Sequence, residues 1–154
     1  MIRTSPCLHV VLHQPEIPAN AGNIARLCGA AKLRLHLIHP LGFKVDDKHL
    51  KRAGLDYWSE IDLCYHESFE AFLASKEKGQ LIAFSSHGSQ DYPKAKVHQG
   101  DYLLFGKETV GLPLSIREAY PCYRIPIWGK VRSLNLSTAA GIVVYHYLHR
   151  MGRF

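Results

Sequence analysis

Residues 8–39 read LHVVLHQPEIPANAGNIARLCGAAKLRLHLIH, and two periodicities within them decide the fold class. Leu8 to Leu12 and Leu35 to His39 are short β-rich apolar runs bounded by polar or turn residues, the pattern of strands. Between them, over Asn20 to Ala31, the residues Ile24, Leu27, Cys28 and Ala31 recur on one face at helical spacing. The stretch is therefore a strand, helix, strand unit, which joins neighbouring parallel strands.

Outward from this unit the same alternation continues. Strands are predicted at Leu81 to Phe84, Tyr102 to Phe105 and Arg124 to Ile127, and helices at Asp47 to Ala53, Glu67 to Ser75 and Leu136 to Arg150. That order predicts an α/β protein with a mainly parallel sheet flanked by helices. No internal repeat, low-complexity tract or composition shift marks a linker, so residues 1–154 are expected to form a single domain. With 47% apolar residues the chain can bury a core without staples.

The formal charge of +6 draws the chain toward polyanions, nucleic acid foremost, or else reflects a solvated basic face. Cys7, Cys28, Cys64 and Cys122 show no C-x-x-C spacing and no histidine at zinc-ligand distance, which argues against a metal and for a reducing compartment. The apolar run near the amino terminus is too short for a signal peptide, and the run Ala139 to Tyr145 falls far short of the roughly 20 residues a membrane helix needs. A soluble, cytoplasmic protein without a membrane partner is expected.

Three glycine-containing segments stand at strand ends, where open α/β sheets bind ligands: PANAGNIAR (Pro18 to Arg26), FGKETVGLP (Phe105 to Pro113) and PIWGKVRSLNL (Pro126 to Leu136). A dinucleotide fingerprint needs three spaced glycines after the first strand, and only Gly22 stands there. A phosphate-binding loop ending at Gly106-Lys107 would need its first glycine at Asp101, and Glu108 occupies the place of the magnesium-binding hydroxyl. Both nucleotide folds are excluded.

Four segments in order, PEIPANAGNIARLCGA (Pro15 to Ala30), HPLGFKVDDKHLKRAGLDYW (His39 to Trp58), LLFGKETVGLP (Leu103 to Pro113) and IPIWGKVRSLNLSTAAGIVVY (Ile125 to Tyr145), resemble the SpoU branch of the SPOUT RNA methyltransferases. Within it they resemble the minimal single-domain enzymes that methylate the tRNA wobble nucleotide. The resemblance implies a deep trefoil knot in the carboxy-terminal third, S-adenosylmethionine as methyl donor, and transfer to the ribose 2′-hydroxyl of cytidine or uridine 34 in the anticodon stem-loop. It implies a homodimer packed through the knot and the last helix, and because a sulfonium donor is already activated no metal is expected.

By match of position, the resemblance implies Arg26, Ser133 and Asn135 as catalytic residues. Phe84, Gly106, Glu108, Ile125, Ile127, Ser133 and Leu134 would hold the donor. A guanidinium stays protonated in proteins, so Arg26 is expected to clamp a phosphate and stabilise an emerging alkoxide rather than act as a base. Asn20 and Asn23 are expected as helix-cap and loop groups. Lys48, Lys51 and Arg52, within DDKHLKR, read as phosphate contacts or as an ion-paired exposed helix, and Lys107, Lys130 and Arg132 as further phosphate contacts or solvated charges. Tyr57 and Trp58 are candidates for base stacking or for the core. Lys107 departs from the proline that relatives often carry, and Trp128-Gly129-Lys130 fills a loop that varies among them. Two other functions share these motifs: a non-catalytic RNA-binding or ribosome-assembly protein, and a ribosomal-RNA methyltransferase, which usually carries an added amino-terminal RNA domain.

Overall fold

Side chains alternate between two buried layers along every central strand of the computed structural model, which describes residues 4–44 and 60–154. The elements run β1 (Leu8–His13), α1 (Pro18–Ala31), β2 (Arg34–Ile38), β3 (Leu63–His66), α2 (Phe69–Ser75), β4 (Leu81–Phe84), β5 (Gln90–Asp91), a 3-10 turn (Tyr92–Lys94), β6 (Asp101–Phe105), α3 (Leu114–Ala119), β7 (Cys122–Arg124) and α4 (Leu136–Arg150). Among the described residues, seven strands are ordered β3-β2-β1-β6-β4-β7-β5 and each of their pairings is parallel. The α/β class with a mainly parallel sheet is as the sequence predicts. No described helix is long and apolar enough to cross a membrane.

On one face Leu8, Val10 and Leu12 of β1, Leu35 and Leu37 of β2, and Leu103 and Phe105 of β6 meet Ile24 and Cys28 of α1 and Val143, Val144 and Tyr147 of α4. On the other face Val11, Ile38 and Leu104 meet Phe72 of α2 and Ile116 of α3. Pro18 starts α1 with its φ already set for a helix and no N–H to leave unbonded. Ser68 caps α2 by accepting from the Ala71 N–H at 3.0 Å, which moves the start of that helix from the expected Glu67 to Phe69.

Strands β3 and β5 and helix α3 are not foreshadowed by the sequence pattern. Leu63–His66 lies toward one edge of the sheet and carries little apolar burial, and the other two are only 2 and 6 residues long. The predicted strand Arg124 to Ile127 lies two residues earlier, because Pro126 has no N–H for a ladder. The predicted helix Asp47 to Ala53, with Tyr57 and Trp58, lies outside the described residues. All four cysteines are free thiols.

A row of imidazoles crosses the second face. His9 Nδ1 meets His36 Nε2 at 2.9 Å, His36 Nδ1 meets His66 Nε2 at 2.9 Å, and the His9 ring stacks on Tyr102 with centroids 3.9 Å apart. Burial, with added repulsion from Arg34 and Lys76, pushes His9 down to about 4. Burial lowers His13 and His66 as well. An unfolded chain takes up a proton at His9 near pH 6.5 while the folded chain refuses it down to about 4, so stability is full above pH 7 and falls as pH drops through that window. The loss from His9 is up to about 3 kcal/mol. Denaturant midpoints measured from pH 8 to 4 should show this decline, and His9→Gln, which keeps hydrogen-bonding atoms but does not titrate, should flatten its steepest part.

Candidate active site

Parallel strands deliver their following loops to one edge of a sheet, and here those loops enclose a cleft. Where the chain departs from β1 toward β2 on one side and returns on the other as β6, the crossovers diverge and leave a crevice beyond the carboxyl ends of the strands. The crevice is lined by Ile17 and Asn20 after β1, Ser85 to His87 after β4, Gly106 to Gly111 after β6, and Ile125, Ile127 and Arg132 to Asn135 after β7. Its volume is about 750 Å³, within the range of small-molecule sites.

Two glycines allow the loops to converge. A Cβ on Gly106 would lie 2.3 Å from the Gly111 carbonyl carbon and 2.4 Å from the Leu112 nitrogen. One on Gly88 would lie 2.4 Å from the Tyr123 carbonyl carbon. Each position lies against a neighbouring backbone segment with no room for a side chain.

Across the cleft floor runs a chain of polar side chains. The Glu108 carboxylate accepts from the Glu16 N–H at 2.8 Å, the Ile17 N–H at 2.6 Å and Asn20 Nδ2 at 3.2 Å. Ile17 occupies the cap position of α1 and has no side-chain oxygen, so Glu108, from 91 residues away, supplies negative charge at that helix N-terminus. Asn20 Oδ1 in turn accepts from Asn135 Nδ2 at 3.0 Å, and Asn135 Oδ1 accepts from the Ser137 N–H at 2.9 Å and the Thr138 N–H at 3.3 Å, capping α4. Because a carboxylate only accepts and a helix N-terminus only donates, both asparagine amides can face only one way. A second strap joins the same loops: Glu16 accepts from the Thr109 hydroxyl at 2.7 Å and its N–H at 3.1 Å, which, with Lys107 nearby, holds the Glu16 carboxyl below its usual range.

The fold gathers most of the expected site. Phe84, Gly106, Lys107, Glu108, Ile125, Ile127, Arg132, Ser133, Leu134 and Asn135 all line the cleft. Apolar Phe84, Ile125, Ile127 and Leu134, with polar Ser85, Ser133 and Asn135 in the same lining, suit a neutral nucleobase carrying a polar tail. Arg26 is elsewhere: it is exposed on α1 and not part of the cleft wall. Lys48, Lys51 and Arg52 lie outside the described residues. Asn20 does not cap α1, contrary to the sequence expectation; it lies within the first turn, 4% exposed, at the centre of the polar chain. Ser85, Ser86 and His87 are additions to the expected set, although a polar run directly after a buried strand signals a strand-end loop. Among the described residues no group of three or more histidine, cysteine or acidic side chains is placed to hold a metal.

Parallel strands, a switch-point cleft and two helix N-termini bound across it define an α/β protein with a nucleotide-sized site. The model of the SpoU rRNA Methylase family matches residues 7–145, and the chain belongs to that family. It is 45% identical over 148 residues to a tRNA (cytidine(34)-2'-O)-methyltransferase of Escherichia coli strain K12, covering 94% of both chains. A solved structure described as "Structural insights into the 2-OH methylation of C/U34 on tRNA" superposes with a TM-score of 0.91 at 48% identity, over 97% of this chain and 100% of that one. An AdoMet-bound rRNA methyltransferase from Sinorhizobium meliloti superposes with a TM-score of 0.83 at 26% identity, over 96% of this chain and 61% of that one.

Asn135→Asp keeps the helix cap and loses the donor to Asn20, whereas Asn135→Ala loses both. Thermal unfolding should therefore show Asn135→Ala destabilised by about 1 kcal/mol and Asn135→Asp by less. Calorimetric affinity for a bound nucleoside ligand should fall in both.

Proposed function

We propose that this chain transfers a methyl group from S-adenosylmethionine to the ribose 2′-oxygen of nucleotide 34, cytidine or uridine, in the anticodon stem-loop of tRNA. The observation that carries the reading is the 45% identity to the Escherichia coli tRNA enzyme across 94% of both chains, a likeness of nearly the whole length rather than of one motif. The ribosomal-RNA reading has less support, since the Sinorhizobium meliloti neighbour is 26% identical and this chain spans 61% of it. A protein that only bound RNA would not need a ligand cleft whose polar groups are oriented by one continuous chain of bonds.

A ribose hydroxyl is a weak acid, so it must be positioned for in-line attack and its developing charge stabilised. As the oxygen–methyl bond forms and the methyl–sulfur bond breaks, the proton passes to solvent and S-adenosylhomocysteine leaves. Bound S-adenosylmethionine supplies a sulfonium methyl that is already activated. Phe84, Ile125, Ile127 and Leu134, the apolar part of the cleft lining, would hold its adenine, and Gly106 and Ser133 in the same lining would offer backbone groups to it. Arg26, exposed on α1 outside this cleft wall, clamps a phosphate of the bound RNA beside the target ribose. Lys107 and Arg132 at the cleft, with Lys48, Lys51 and Arg52, extend the phosphate track. Glu108 and Asn135 fix the two helices that frame the donor, and Ser133 contributes a hydroxyl beside the reacting group.

The trefoil knot belongs to the same proposal, supported by the glycine-only contacts at Gly88 and Gly106. So does the homodimer: Ile142 and Tyr145 are exposed on α4, and the exposed Phe154 ring lies 6.2 Å from Tyr145. Such a face is suited to a second copy. Sedimentation should show a dimer that Tyr145→Asp shifts toward monomer.

Incubation of unmodified tRNA with the protein and S-adenosylmethionine, followed by nucleoside mapping, should place a 2′-O-methyl group at nucleotide 34. A methyl on a base, or no donor binding in calorimetry, would sink the reading. Arg26→Ala should nearly abolish turnover while donor affinity stays within a few-fold; wild-type turnover in that variant would remove the proposed clamp.

A further inference from the structure

Trp128 is 90% exposed, the most exposed large apolar side chain among the described residues. A single exposed apolar side chain is ordinary by itself; what distinguishes Trp128 is where it stands and what surrounds it. Ile127 immediately before it, and Arg132 and Ser133 shortly after it, line the cleft, so the loop that carries the indole borders the cleft. The adjoining Gly129 has nothing within 4 Å of where a Cβ would be, so no packing demand holds this segment against the body. Lys130 and Arg132, both exposed, place positive charge on either side of exposed Val131 in the same short loop. An aromatic plane among cations is the composition that binds single-stranded nucleic acid: cations follow the phosphates while the ring stacks on a base.

Resting on the wobble-ribose reading above, we propose that Trp128 is a stacking platform for an unpaired nucleobase of the anticodon loop next to the ribose that enters the cleft, with Lys130 and Arg132 on its flanking phosphates. A ribose hydroxyl can reach a recessed methyl donor only if its nucleotide leaves the loop stack, and the base face that this uncovers then needs a replacement partner. Trp128 supplies that partner and makes the enzyme prefer RNA whose target nucleotide is unpaired. It is a substrate-positioning residue; the methyl donor does not touch it.

Steady-state methylation of tRNA, donor calorimetry and thermal unfolding of Trp128→Ala, Trp128→Leu and Trp128→Phe test this. Stacking on an aromatic ring predicts that Trp128→Ala raises the KM for tRNA roughly tenfold. Trp128→Leu, apolar but without a π face, should behave like Trp128→Ala, and Trp128→Phe should recover most of the loss. Donor affinity and Tm should be unchanged in all three. An unchanged KM in Trp128→Ala overturns the platform while leaving the wobble-methylation reading intact, and so does full rescue by leucine. Loss of a dimer in sedimentation overturns it in favour of a contact with a second copy, and lost donor affinity overturns it in favour of a wall of the donor site. A wild-type protein that methylates no tRNA overturns the reading beneath it, and the platform with it.

Discussion

The bond from Asn20 to Asn135 is the contact on which the site depends. Alone it is one amide–amide hydrogen bond of 3.0 Å, of ordinary strength. Its consequence lies in what it connects. On one side Asn20 is held by Glu108, whose carboxylate also caps α1; on the other Asn135 caps α4. The two helices that pack together on one face of the sheet are thus registered to each other and to the loop after β6 by three side chains. Asn20 at the centre is buried, with half-buried Glu108 on one side and exposed Asn135 on the other, so rotating the central amide breaks the bonds on both sides and couples the three side chains.

This arrangement explains why the cleft can be both open and ordered. Its walls are loops, which are ordinarily the mobile part of a protein. Here the loop after β6 is tied to the N-terminus of α1 by Glu108 and by the Thr109–Glu16 strap, and it closes against itself through the Gly106 approach to Gly111 and Leu112. The segment after β7 is tied through Asn135. Beyond those ties, Trp128 to Val131 is left exposed, which suits a segment meeting a large, variable partner such as folded RNA.

The fold was legible where burial is two-sided. The runs Leu8 to Leu12, Leu81 to Phe84 and Tyr102 to Phe105 carry their apolar pattern because both faces of a parallel sheet are covered. Leu63–His66 escaped because an edge strand needs less of it, and Ile125 and Ile127 misled because their apolar side chains line a ligand wall rather than extend a ladder. The loops that make the cleft were legible as glycine and polar residues at strand ends. The role of Asn20 was not: its partners lie 88 and 115 residues away, and no local pattern encodes a bond across that span. Glu108 lines the cleft where a donor contact was expected, but its carboxylate is bound to a helix N-terminus, a placement only the folded chain reveals.

If Glu108, Asn20 and Asn135 act as one unit in holding the donor cleft, a double-mutant cycle reads their union directly. Calorimetric S-adenosylmethionine affinities of wild type, Glu108→Gln, Asn135→Ala and the double variant give a coupling energy between two residues joined through Asn20. A single unit requires a coupling of at least about 0.5 kcal/mol that disappears when the cycle is repeated on Asn20→Ala. Additive losses, or a coupling that survives removal of Asn20, would mean that the three side chains support the cleft separately.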